Sequence, residues 1–278
     1  MLGASFLFAA MGLTVKVASG ELPNTLVVFF RNAFGLLALL PWLRGLGARG
    51  LRTARPGEHV LRGLAGLGSM YCFFYAIARL PLAEAVLLNY TLPLYMPVIE
   101  RVWLQEPMPA RVWPPLLIGF LGIALVLRPG VGVFRPAALA ALASALLASL
   151  AQVGVRRLTA TEPVERIVFY FAVLSTLISA VPAAAAWRTP SSSLWPVLVA
   201  MGVVATAGQL LLTRAYAQAP ASRVGPFIYS SVVFAGALDW AFRGVVPDAV
   251  SWLGALLVIA AGIMALRTRM APAPAVSD

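Results

Sequence analysis

The sequence predicts an all-α polytopic membrane protein with ten transmembrane helices, arranged as two inverted five-helix repeats. Three observations lead there. Of 278 residues, 61% are hydrophobic and 11% charged, against about 25% charged in an ordinary soluble domain, so a water-soluble fold has too little polar surface to cover itself. Apolar stretches near the roughly 20 residues that a spanning helix needs recur along the whole chain. Adding 139 to a position in the first half repeatedly lands on a similar residue in the second.

The apolar runs place spans near 2–18, 24–43, 60–79, 82–103, 112–128, 136–155, 166–187, 194–214, 221–241 and 249–266. The first run lacks the basic flank of a secretory signal and has a counterpart in the second half, so it is kept as a span. Turn formers punctuate the breaks: Pro23, Pro81, Pro107 with Pro109, Pro129 with Gly130, Pro163, Pro190, Pro220 and Pro247. The arginine-rich stretch from Arg44 to Arg62 reads as a loop, and His59 within it as a solvated loop residue. Residues 268–278, polar and proline-rich, read as a disordered cytoplasmic tail.

The repeat rests on residues that apolarity does not dictate. Ser5 maps to Ser144, Pro81 to Pro220, Tyr90 to Tyr229, Glu100 to Asp239, Trp113 to Trp252 and Arg128 to Arg267. One register holds over the full length, giving a first five-helix unit at 1–130 and a second at 131–267. Five spans end on the opposite side of the membrane from their start, so the second unit is expected to be inverted, as in many secondary carriers.

The net charge of +11 follows topology. Its arginines flank apolar stretches instead of forming one basic face, so no nucleic-acid partner is expected. With the N-terminus inside, fourteen Lys and Arg fall on the inner side and five on the outer. The positive-inside rule then makes both termini cytoplasmic. The single cysteine, Cys72, excludes an intramolecular disulfide and a Cys-rich metal site.

Several stretches carry a family resemblance: Val15 and Lys16 with Phe30 and Arg31, the run from Phe73 to Ala85, Leu92 to Pro97, Gln105 with Glu106, and Gly119 to Ile123. In these the chain resembles the drug/metabolite transporter superfamily, in its ten-helix branch with two EamA domains. The second half departs at one motif, because Glu106 maps to Val245, although Pro247, Gly262 and Ile263 remain. The resemblance implies transport of small metabolites across a bacterial inner membrane. Family substrates include amino acids and their derivatives, S-adenosylmethionine, nucleobases, sugars and small cations. Export of amino acids or related compounds is the expected function; uptake of S-adenosylmethionine or a similar metabolite is the alternative.

Polar groups at mid-membrane depth are costly unless paired or facing a wet cavity, so each is a candidate site residue. Asn89 and Tyr90 lie near the middle of the fourth span, and Tyr229 is the counterpart of Tyr90. Tyr71 and Tyr75 on the third span, Gln152 on the sixth and Gln209 on the eighth complete the expected lining, with Arg31 placed to hold a carboxylate. For any one of these the competing reading is an interhelical hydrogen bond. As a group they suit a small zwitterion or a heteroaromatic ring.

Charges form a second set. Lys16, Arg31, Glu84 and Asp239 are expected to gather on the outer side, with Lys16 or Arg31 pairing Asp239 or Glu84. Glu100 is expected near Arg156, Arg157 or Arg214 on the inner side, so that the two groups act as alternating gates. No catalytic triad, zinc motif or phosphate loop is legible. The expectation is therefore a non-enzyme with no cofactor and no metal, whose partners are a small-molecule substrate and the lipid bilayer, as a monomer or homodimer. A membrane-embedded enzyme and a passive channel are the readings of another class.

Overall fold

The computed structural model describes residues 1–77, 79, 82–105, 110–127, 136–243 and 248–267, and every described element is helical. The helices are α1 (Leu2–Ala18), α2 (Asn24–Gly50), α3 (Pro56–Ile77), α4 (Leu82–Asn89), α5 (Leu92–Ile99), α6 (Trp113–Leu127), α7 (Pro136–Leu158), α8 (Val164–Ala185), α9 (Trp195–Gln218), α10 (Ala221–Val224), α11 (Ser230–Arg243) and α12 (Ala249–Arg267). Four stretches are long and apolar enough to cross a membrane by length and composition: Asn24–Pro41, Pro136–Leu158, Val164–Ala185 and Trp195–Gln218.

Two expected spans are interrupted, and at matching places. The fourth breaks at Tyr90 and Thr91 between α4 and α5, where the Thr91 hydroxyl bonds the Leu88 carbonyl. The ninth breaks at a 3-10 segment, Gly225–Tyr229, between α10 and α11. Prolines 93 and 226 stand beside the breaks; each removes an N–H that an unbroken helix would use.

Helix packing follows the 139-residue register. α3 packs on α7 as α9 does on α1; α3 on α8 as α9 does on α2; and α6 meets its counterpart α12 as α2 meets α8. The correspondence reaches single residues. A side chain at Gly63 would press on Leu174, and one at Gly202 on Gly35; 63 and 202, like 35 and 174, are one repeat apart. Gly119 faces Ala261 as Gly122 faces Val258. Glycine permits these approaches because helices in lipid associate by close packing without a hydrophobic drive between them.

α3 shows the inside-out polarity that lipid imposes. His59, Arg62 and Ser69 are buried at helical spacing, while Val60, Leu61 and Leu64 face outward. This corrects the expectation of a solvated loop through Arg62. α2 continues to Gly50 and α3 starts at Pro56, so His59, 1% exposed, stacks on Tyr170 with ring centres 4.4 Å apart.

The two ends of α2 are tied to the second half by carboxylates. At one end Glu21 accepts from the Ser191 amide and, at 2.7 Å, from its hydroxyl. At the other, buried Glu162 accepts from Thr53 at 2.6 Å and pairs with Arg166, which also donates to the Gly50 carbonyl. Burial alone would raise the Glu162 carboxyl, but the hydrogen bonds from Thr53 and Arg166 and the Arg166 charge outweigh it, and the carboxyl lies below its usual range.

Candidate functional site

Arg31 on α2 and Gln209 on α9 line one small cleft between α2, α8 and α9, with room for about one water molecule. Asn32, Thr206 and Phe171 share its wall. Arg31 donates to the Asn32 side-chain carbonyl at 2.7 Å, and Thr206 donates to the Gly35 carbonyl at 2.9 Å. The Asn32 amide nitrogen is buried with no hydrogen-bond partner. The wall therefore offers donors to an incoming acceptor.

The two helix breaks bring Tyr90 and Tyr229 together, with ring centres 6.4 Å apart and ring planes tilted by 58°. The Tyr90 hydroxyl bonds the Ser231 hydroxyl, while the Tyr229 hydroxyl is buried and unpartnered. Asn89, one residue away, donates to the Ser144 hydroxyl at 2.8 Å, and Ser144 and Ser69 donate to each other's carbonyls at 2.9 Å. Asn89 is thus fixed in an interhelical network linking α3, α4 and α7. Ser5, the counterpart of Ser144, donates to the Phe227 carbonyl at 3.0 Å in the second break. Gln152 accepts from the buried Tyr216 hydroxyl.

The third-span tyrosines separate. The Tyr71 hydroxyl is buried without a hydrogen-bond partner; Tyr75 is exposed, with the Arg79 guanidinium 3.8 Å from its ring centre. Glu100, 3% exposed, accepts the backbone N–H groups of Ala221 and Ser222 at the start of α10. Arg157 pairs with Glu58 at 3.1 Å, Arg214 with Glu165 at 3.4 Å, and Arg156 donates to the Tyr216 carbonyl. The side chains of Lys16, Glu84 and Asp239 lie outside the described residues.

A family model described as the EamA-like transporter family matches twice, at residues 1–128 and 135–267, one match per half. The chain belongs to the EamA-like transporter family. Among similar proteins of this transporter type, the pseudopaline exporter CntI of Pseudomonas aeruginosa (strain UCBPP-PA14) is 35% identical over 268 residues, 96% of this chain and 94% of that one. The riboflavin transporter of Vibrio cholerae is 29% identical, covering 93% of this chain and 89% of its own length. The S-adenosylmethionine uptake transporter of Rickettsia bellii is 26% identical, with 84% and 81% covered. A solved crystal structure shares the fold with a TM-score of 0.83 at 22% identity, covering 95% of both chains. With these EamA-like relatives named as transporters, the chain is a multi-pass membrane protein of a small-metabolite transporter family.

Sequence reasoning missed Arg62, Phe171, Thr206 and Tyr216. For Arg62 a signal existed: His59, Arg62, Gly66 and Ser69 recur at intervals of three, four and three, which is one helix face. Phe171 and Tyr216 carry no such mark, since an aromatic residue in an apolar run reads the same whether it faces lipid or a cavity.

Proposed function

We propose that this chain is a secondary transporter that exports amino acids or related small metabolites across the bacterial inner membrane by alternating access. Its two five-helix repeats, 1–130 and 131–267, are inverted, and both termini are cytoplasmic. The observation that carries this reading is the pair of helix breaks meeting at Tyr90 and Tyr229. Broken helices in corresponding positions of two halves are where carriers of inverted-repeat design hold their substrates. The packing correspondence between the halves supports the inversion, because a five-helix unit exchanged with its twin about a twofold axis reproduces every helix pair described above.

Arg31, Gln209, Tyr90 and Tyr229 contact the solute; Asn89, Gln152, Tyr71 and Tyr75 position or flank that space. Lys16, Glu84, Glu100 and Asp239 form the gates. One chain already contains a complete repeat pair, so a monomer is sufficient and a homodimer is compatible with function. The exporter relative, which has the highest identity of the three named, supports export. The riboflavin and S-adenosylmethionine relatives support the second reading, uptake of a larger heteroaromatic metabolite.

Thermal stabilisation of the detergent-purified protein against amino acids, riboflavin, S-adenosylmethionine, nucleobases and small cations tests the proposal, because a ligand that binds only the folded state raises its melting temperature. A stabilising solute that Arg31→Ala or Tyr90→Ala abolishes, and that shows counterflow in proteoliposomes, supports the carrier. Conductance without saturation or counterflow overturns it in favour of a channel. Turnover of substrate in detergent overturns it in favour of an enzyme. Accumulation in inverted vesicles, compared with right-side-out ones, gives the direction.

A further inference from the structure

Arg62 is a buried cation with no carboxylate partner among the described residues. It is 4% exposed, and its Nε and Nη1 have no hydrogen-bond acceptor. It lies six residues into α3, about 9 Å along the axis, on the face turned away from Val60, Leu61 and Leu64. Its guanidinium carbon is 3.6 Å from the centre of the Phe171 ring, and that of Arg31 is 5.9 Å from the same centre. The two cations are thus no further apart than those distances together.

Among the described residues neither arginine forms an ion pair with a carboxylate. Arg31 has only the neutral carbonyl of Asn32, whose own amide nitrogen is buried and unpartnered. The Phe171 ring offsets part of the cost of taking a guanidinium out of water. It does nothing about the repulsion between the two. Buried charges persist where something compensates them, and two cations at one phenyl ring call for two negative charges.

We infer that Arg31 and Arg62 form a two-point anion site around Phe171, which takes a solute bearing two carboxylates, one on each guanidinium fork. The planar fork matches a carboxylate in two parallel hydrogen bonds. Arg31, Asn32 and Phe171 border the small cleft, which must widen to seat a solute, and the unpartnered donors of Arg62, on the Phe171 ring, and of Asn32 supply the rest. The counterparts of Arg31 and Arg62 in the other half are Tyr170 and Met201. The cation pair therefore belongs to one half alone, and it gives a duplicated framework a single orientation for its solute. This assignment rests on the carrier reading and narrows its substrate class.

Titrating the detergent-purified full chain with glutarate, acetate and putrescine while following the melting temperature tests it. Glutarate should half-saturate at a concentration about tenfold below acetate, the difference one further charge-assisted contact makes, and putrescine should have no effect. Arg62→Gln should bring glutarate to the level of acetate, and Arg62→Lys, which keeps the charge but not the fork, should restore part of the preference. Wild-type protein that binds glutarate no better than acetate overturns the inference, whether or not the variants fold. So does an unchanged preference in Arg62→Gln. Stabilisation through Arg62 by phosphatidate micelles and not by glutarate also overturns it, assigning the site to a lipid headgroup. Counterflow of another solute by wild-type proteoliposomes, with no glutarate preference, overturns this inference and leaves the carrier standing; no counterflow of any solute counts against the carrier itself.

Discussion

Tyr90 and Tyr229 are one repeat apart in sequence and 6.4 Å apart between ring centres, yet only Tyr90 has a hydrogen-bond partner for its hydroxyl. The halves share a framework and differ in what each leaves available to a solute. A buried hydroxyl without a partner costs about 1–3 kcal/mol. Tyr229→Phe should therefore raise stability by about 1 kcal/mol in thermal unfolding while lowering solute-dependent stabilisation. Tyr90→Phe should lower stability by a similar amount, because Ser231 loses a partner.

Gly122 faces the Gly254 carbonyl oxygen and the Val258 side chain at distances of 2.7 and 3.0 Å from where a Cβ would stand. Gly122→Val should push α6 from α12 and cost about 1–3 kcal/mol. Substitution at Gly12, which has open space around it, should be nearly neutral. Melting temperatures of the two variants check the contrast.

Ser144 is fully buried, accepts from Asn89 and exchanges hydrogen bonds with Ser69. Ser144→Ala should cost about 2 kcal/mol, since it strands the Asn89 amide in an apolar surround. Asn89→Ala in the same background should add less than it does alone, a coupling that a double-mutant cycle measures.

Glu162 titrates below the ordinary 4.5 in the fold. A carboxyl lowered by folding stabilises fully above its unfolded value and loses that contribution as pH falls through its lowered folded value. The melting-temperature gap between wild type and Glu162→Gln should stay flat from about pH 8 to about pH 5 and close below that. The exposed pair of Arg214 with Glu165 should show almost no such gap, because solvent screens it.

The helices were legible because lipid demands long apolar runs, and the repeat because prolines, tryptophans and tyrosines held one register. The 139-residue register puts Tyr90 and Tyr229 at matching helix breaks, and Arg31 and Gln209 border one cleft; the lining role expected of these residues belongs to the proposal above. The loop through His59 and Arg62 was misjudged for a physical reason. A charge count treats every arginine as seeking water, whereas Arg62 is covered by Phe171 from a helix about 110 residues away, a contact that only tertiary packing creates. Asn89 is expected in the cavity lining, whereas its amide is taken up by Ser144; position along a span does not reveal whether an amide faces a cavity or a serine on the next helix.

The two carboxylate ties at the ends of α2 are chemically unequal, and that has a bearing on how an empty carrier waits. Glu21 holds Ser191 in water without a cation, so its release costs about 1 kcal/mol or less. Glu162 is buried and held by both Thr53 and Arg166, so opening that end means separating an ion pair shielded from solvent. On the alternating-access reading proposed above, the Glu21 end is expected to yield first when there is neither gradient nor solute. A duplicated framework would by itself have no reason to face one way; on that reading a few side chains in two turns would give it a resting direction.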